Sequence, residues 1–332
     1  MDRRAWLWSL NTLILGFLFG SGFVCKAADD ETEKPAAKEE VSETSPTGKY
    51  IRLVRDDNRK PLELQTAIVR FVSADESRPQ LSVDLIAAVH VGEKSYYERL
   101  NEQFADYDAL LYELVAPEGT RVPKGGVKSN HPVSRLQTAM KDLLALDFQL
   151  DHVDYQSKNF VHADMSPETF SKSMNDRGES IWALLFRMLG QSLAEESKGG
   201  SVDGELLLAL FDKNRALALK RVLAVQFEDL EGAMSAFNGP DGSTLITERN
   251  KRALEVLGKE IAAGKKHLAI FYGAGHMPDM AKRLMADFNL RPAREEWVTA
   301  WDLHEPVKRP GAKIRASQRA QDKAGERQPV SR

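Results

Sequence analysis

Cysteine is nearly missing from this 332-residue chain: Cys25 stands alone. One thiol cannot close an intramolecular disulfide, nor can it build a cysteine-rich zinc or iron–sulfur site. A surplus of one charge is missing too. The 46 Lys and Arg face 49 Asp and Glu, a formal net charge of −3, so the chain as a whole lacks the electrostatic footprint of a nucleic-acid binder. No internal repeat is present. Nor is there a Gly-x-Ser-x-Gly, a Walker loop, a Rossmann fingerprint or a His-Glu-x-x-His. Their absence argues against serine α/β-hydrolases, NTPases, nicotinamide enzymes and zincin proteases. What remains is a hydrophobic share of 42% with 29% charged residues, the balance of a chain that can bury a core.

The ends read differently from the middle. Arg3 and Arg4 precede an uncharged stretch from Ala5 to Val24, and Cys25-Lys26-Ala27 follows with small residues where signal peptidase cuts. Residues 1–27 are therefore expected to act as an export signal, or to stay as a membrane anchor through residues 5–24, with the main domain outside the cytoplasm. Lipidation of Cys25 is disfavoured by Val24, which sits where a lipoprotein signal wants a small residue. Residues 28–48 carry seven acids against Lys34 and Lys38 and have almost nothing apolar to bury, so they read as a disordered acidic linker. Residues 304–332 are a basic counterpart, read as a solvated tail in preference to an anchor for acidic lipid, cell wall or nucleic acid.

Between them, residues 49–303 are expected to form one α/β domain: a mixed, mostly parallel sheet flanked by helices, with a helical middle insertion. Tyr50–Val54 and Leu62–Val72 read as a hairpin. Leu81–His90 is apolar on both faces, which marks a central strand. A Ser95/Glu98 capping box opens a helix, and Asp108–Val115 is a second buried strand, so a βαβ unit with two parallel, neighbouring strands is expected. Leu136–Val153 reads as a helix and Asn159–Asp164 as a short strand. Pro167–Phe237 reads as helical with a break near Ser197–Val202. Thr244–Ala263 carries Ile246, Asn250, Ala253, Leu257 and Ile261 on one stripe, as a long helix would. His267–Tyr272 is a strand that runs through Gly273-Ala274-Gly275-His276 into a helix opened by Pro278, and Glu296–Leu303 closes the domain as a strand.

In a parallel arrangement His90, Glu113 and His276 all reach the carboxyl edge of the sheet, where open α/β folds bind ligands. Two imidazoles and a carboxylate can hold a divalent cation that polarises a carbonyl, or can work as acid and base without one. Glu113 sits in Leu-Leu-Tyr-Glu-Leu-Val, and a carboxylate there demands a partner. Arg249 is a candidate for that partner or for a clamp on substrate oxygen, and Asn250 on the buried stripe needs hydrogen-bond partners. Gly273 and Gly275 form a turn whose N–H groups suit an oxyanion or carboxylate. His162 and Asp164, ending a strand, are further site candidates. His152 and Asp154 read as loop, and His131, His267 and His304 as structural.

Ala87-Ala88-Val89-His90-Val91-Gly92, Leu111-Tyr112-Glu113-Leu114, Glu248-Arg249-Asn250 and Tyr272-Gly273-Ala274-Gly275-His276 together resemble the TraB/PrgY/Tiki family over roughly Leu81–Leu284. The family pattern holds two Gly-x-x-His motifs, a Glu and an Arg. The second motif matches at Gly273 and His276, whereas Ala87 replaces the glycine of the first. The resemblance implies a fold similar to erythromycin esterases and ChaN-like proteins. It also implies a divalent metal, manganese or cobalt ahead of zinc, and peptide inactivation or proteolysis as the activity.

The expectation is an exported metal-dependent hydrolase of the peptidase or amidase kind acting on a peptide or small molecule. His90, Glu113, Arg249, Asn250 and His276 are its catalytic candidates. His90, Glu113, Asp164 and His276 are its metal ligands, and Arg249, His162, Gly273 and Gly275 contact substrate. The alternative is a non-catalytic binder of peptide, metal or haem at the same cleft.

Overall fold

A polar turn opens the fold. Asp56 Oδ1 accepts from the N–H groups of Asn58 and Lys60, and Arg59 takes the left-handed conformation at φ 63°. This turn joins β1 (Ile51–Arg55) to β2 (Pro61–Ser73) as the expected antiparallel hairpin, with Ile51 opposite Thr66. The computed structural model describes residues 48–120, 122–123, 143–180, 202–228, 238 and 242–306. The export segment, the linker up to residue 47, His131 and the tail from residue 307 fall outside those residues. So do residues 136–142 of one expected helix and residues 181–201 and 229–237 of the middle region expected to be helical.

The sheet is mixed and seven-stranded. Along one edge of β2 run first β1 and then β3 (Ser82–Ala88), and along the other runs β9 (Leu290–Asp302), all antiparallel to it. Beyond β3 come β8 (His267–Gly273), β5 (Ala109–Tyr112) and β7 (Phe160–His162), each parallel to the last. The core strands are solid with apolar side chains: Val83, Leu85, Ile86, Leu110, Leu111, Ile270 and Phe271 are all fully buried. That two-sided burial is what a parallel layer covered by helices requires. Asp84 is the acid inside β3. Arg70 grips both of its oxygens at 2.8 Å through Nε and Nη2, and the Tyr107 hydroxyl donates to it at 2.8 Å. This fully paired cluster lies toward the amino ends of the parallel strands.

Several expectations need correcting. β3 and β5 are parallel but not neighbours, because β8 inserts between them and pairs with both. Glu113 therefore follows a strand paired to β8 and β7, not to the strand of His90. Helix α1 (Lys94–Phe104) starts a residue before Ser95, with Glu93 at the N-cap and no side-chain cap bond. Ser95 thus lies inside the first turn, and Glu98 pairs with Lys94 at 2.6 Å instead of closing a capping box. The expected helix over Leu136–Val153 breaks at Ala145, whose φ is 51°. Asp147–Phe148 forms β6, which pairs antiparallel with β4 (Val91–Gly92), and only the single turn α2 (Gln149–His152) follows. The closing strand β9 begins six residues earlier than expected because its first half pairs with the far end of β2, Leu290 opposite Ser73.

Three helices of the middle region lie among the described residues: α3 (Pro167–Asp176), α4 (Val202–Leu210) and α5 (Arg215–Glu228). The long helix over Thr244–Ala263 is present with one change. Its first turn, Thr244–Glu248, is a π turn, where the N–H of Glu248 reaches back to Ser243 O, and it leads into α6 (Arg249–Ala262). A 3-10 turn over Ala274–His276 and helix α7 (Met277–Phe288) follow β8 as expected.

Gly92 in β4 packs where no side chain fits comfortably. A Cβ there would lie 3.1 Å from Tyr96 Cδ1 and 3.4 Å from both Ala300 O and the Tyr97 hydroxyl. Gly92→Ala is expected to cost about 1–3 kcal/mol through overpacking, read as a lower denaturant midpoint at unchanged m.

Candidate active site

Four parallel strands end at one rim, and each delivers a polar group to it. Two residues beyond β3 stands His90. β8 ends in Gly273 and turns into His276. Glu113 directly follows β5, and Asp164 comes two residues after β7. From the side, the first turn of α6 adds Arg249 and Asn250, which are 3% and 0% exposed. Segments remote in the chain thus meet at the carboxyl edge of the sheet, as open α/β folds arrange their sites.

Arg249 is the hub. Its Nε and Nη2 donate to the two oxygens of Asp164 at 3.0 and 2.6 Å, a bidentate pair. Nη2 also reaches Glu113 Oε1 at 2.6 Å, and Nη1 lies 3.4 Å from His276 Nε2. The second oxygen of Glu113 accepts from the N–H of Gly273 at 2.7 Å. The partner that a carboxylate in an apolar strand demands is therefore Arg249, supplemented by a backbone N–H. Burial pushes the Glu113 carboxyl up, but the charge of Arg249, the two imidazoles and the Gly273 N–H outweigh it and hold it well below the usual carboxylate range. Burial alone would lower Arg249, and the two carboxylates reverse this and hold it well above its ordinary value.

Both imidazoles are oriented by their Nδ1 atoms. His276 Nδ1 lies 2.7 Å from Asn250 Oδ1, while the Asn250 amide NH2 donates to His276 O at 3.1 Å and to Asp279 Oδ2 at 2.8 Å. With its nitrogen so engaged, Asn250 offers oxygen to the ring. His276 then carries its proton on Nδ1 and turns the bare Nε2 into the site. Burial pushes His276 down to about 4, against the raising effect of Glu113, which leaves the ring neutral at pH 7. His90 Nδ1 faces Gln149 Oε1 at 3.2 Å, and the Gln149 amide donates to the Tyr155 hydroxyl at 2.7 Å, so His90 likewise presents Nε2.

Gly273 marks the centre. A Cβ built there would lie 3.3 Å from Glu113 Oε2, 3.7 Å from His90 Nε2 and 3.8 Å from His276 Cδ2. Its φ of −52° is open to any residue, so close approach, not backbone conformation, is the reason for glycine. Gly273→Ala is expected to fold with little loss of stability while spreading Glu113 from the two rings. The check is a crystal structure alongside a thermal melt.

The structure thus brings together His90, Glu113, Asp164, Arg249, Asn250, Gly273 and His276. His162 is elsewhere: its Nε2 bonds Leu114 O at 2.6 Å and its ring packs on Tyr112, so it secures the chain after Glu113. Gly275 sits half-buried inside the 3-10 turn. His152 packs flat on Tyr97, and His267 bonds Arg70. Sequence reading missed Gln149, Tyr155 and Asp279. Asp279 carried a faint signal, an acid in the first turn of a helix with Arg283 four residues on. Gln149 carried none.

Among the described residues no group of three or more His, Cys, Asp and Glu side chains has the spacing of a formed metal site. The reason is local, since both oxygens of Glu113 and both of Asp164 already bind the guanidinium or Gly273. The donor chemistry still suits a divalent ion. Both rings turn Nε2 inward with Nδ1 engaged elsewhere, the usual form of ligating histidine, with the His276 Nε2 shared with Arg249 Nη1 at 3.4 Å, and one guanidinium faces two carboxylates, a formal surplus of one negative charge. No family model, curated protein or solved structure matches the chain.

Proposed function

We propose that the protein is an exported, divalent-metal-dependent hydrolase that cleaves a peptide or amide bond at the carboxyl rim of its sheet. The observation that carries this reading is the convergence of the Nε2 edges of His90 and His276 on Glu113 around Gly273, next to an anionic surplus. His90, His276 and Glu113 would hold the ion. When bound, it supplies Lewis-acid polarisation of the scissile carbonyl and a water of lowered pKa.

The remaining work belongs to the chain. Glu113, held ionised by Arg249, is a fixed negative charge beside the rings. Arg249 keeps Glu113 and Asp164 in place and leaves its Nη1 edge on His276. Asn250 holds the His276 ring in the tautomer that faces inward. Water oxygen adds to the carbonyl carbon, one of its protons passes to the departing nitrogen as the C–N bond breaks, and the products are a carboxylic acid, which ionises to solvent, and an amine. The TraB/PrgY/Tiki resemblance favours manganese or cobalt over zinc.

Two measurements test the reading. Full-length protein dialysed against manganese, cobalt and zinc should retain about one ion per chain, and a peptide-library digest should show cleavage that chelator abolishes. Retention of metal or peptide with no turnover by wild-type protein would instead identify a binding protein at the same cleft. Absence of metal uptake above background removes the metal role.

A further inference from the structure

We infer that Gln149 is the positioning residue of His90, fixing which ring nitrogen faces the site. The inference rests on the proposed function only for its effect on metal affinity; the tautomer itself is a property of the metal-free chain.

Gln149 grips His90 at two points. Its backbone N–H donates to His90 O at 3.0 Å, and its side-chain oxygen meets His90 Nδ1 at 3.2 Å. The two-stranded pair β4–β6 sets this up. Val91 opposite Phe148 and Gly92 opposite Asp147 place the residue before β4 beside the residue after β6. Gln149 is 5% exposed, so it was taken out of water to be there. A buried amide must satisfy both of its ends. Its NH2 donates to the Tyr155 hydroxyl at 2.7 Å, and Tyr155 is itself buried against Tyr112 and Phe160. In the structure the NH2 end lies on the Tyr155 hydroxyl, a group able to accept or donate, and the oxygen end lies on the imidazole. An oxygen acceptor at Nδ1 draws the ring proton to Nδ1 and frees Nε2, which would lie 3.7 Å from a Cβ built on Gly273.

The arrangement repeats on the other ring, where Asn250 does the same for His276 and is itself held by Asp279. Two carboxamides, from unrelated segments, thus impose one tautomer on two histidines. A carboxamide orients a ring without adding charge, so it leaves the formal charge of the site to Glu113, Asp164 and Arg249.

The test is nitrogen-15 NMR of histidine-labelled full-length protein, metal-free, at pH 8, with the His90 signals assigned by their loss in His90→Asn. Wild-type protein should show the proton on Nδ1. A proton on Nε2 in wild type overturns the inference without any further variant. In Gln149→Leu the Nδ1 tautomer should give way to a mixture or to Nε2–H. In Gln149→Glu, which restores an oxygen acceptor, the Nδ1 proton should return. An unchanged tautomer in Gln149→Leu means that Gln149 only packs, and the inference fails. In a manganese titration Gln149→Leu should bind about 10–100-fold more weakly, and Gln149→Glu should recover most of that loss. If the tautomer follows Gln149 while wild-type protein binds no metal and cleaves nothing, the positioning role stands and the hydrolase reading falls.

Discussion

Replacing Arg249 with methionine is expected to lower the unfolding free energy by about 3–5 kcal/mol, the loss typical when one partner of a buried ion pair is removed. Asp164 is 0% exposed at its side chain and Glu113 9%, and the same guanidinium binds both. Without it, two carboxylates with little exposure lose the cation they share, and Asp164 loses both of its guanidinium contacts. Methionine keeps much of the volume, so the penalty is electrostatic more than a cavity. The companion variant separates the two. Arg249→Met combined with Asp164→Asn should be less destabilised than the sum of the single changes, because the second substitution removes one of the stranded charges. Urea unfolding of the four proteins in the cycle checks this. A single Arg249→Met loss below about 1 kcal/mol would mean that the carboxylates find other partners.

The second large effect belongs to His276. His276→Ala removes one of the two nitrogen donors and strands Asn250 Oδ1 in a buried site. Manganese affinity should fall by more than the 10–100-fold typical of changes behind the ligands, and peptide cleavage should vanish with it. The unpaired amide oxygen adds a stability cost of about 1–3 kcal/mol. Isothermal titration and a thermal melt read the two effects separately. Asn250→Ala offers a control with the same buried neighbourhood. It leaves the His276 ring in place but frees Nδ1, so metal binding should weaken without being abolished.

Much of this was legible in the residues. The apolar run of β3, the Leu-Leu-Tyr-Glu-Leu-Val containing Glu113, and the strand–glycine turn–helix around Gly273 each specify a local structure, and the rim follows once the strands are parallel. The need of Glu113 for a cation and of Asn250 for hydrogen-bond partners followed from the cost of burying polar groups. What was hidden is pairing between remote segments. Nothing in Leu81–Val115 announces that β8 will enter between β3 and β5, because the pattern of a βαβ unit is the same whether its strands touch or stand one apart. Gln149 was hidden for a related reason. Its partner is 59 residues away, and its neighbours Phe148 and Leu150 also fit a helical stripe. The break at Ala145 was invisible because alanine favours helix, yet the chain turns left-handed there two residues before β6. Asp164 follows β7 and pairs with Arg249, whereas His162, two residues earlier, meets a carbonyl instead.

The insertion of β8 also dictates an order of assembly. Ala88 pairs with Gly273 and Tyr112 with Phe271 on the side where β8 enters, both late in the chain. Until that length has been synthesised, β3 and β5 each lack the strand that lies between them. Such remote contacts slow folding and leave strand edges bare while it proceeds. A nascent chain that ends before His267 can therefore hold His90 and Glu113 yet has no means of bringing them face to face. The wedge strand that completes the sheet is also the one that brings Gly273 and His276 to the rim beside Glu113.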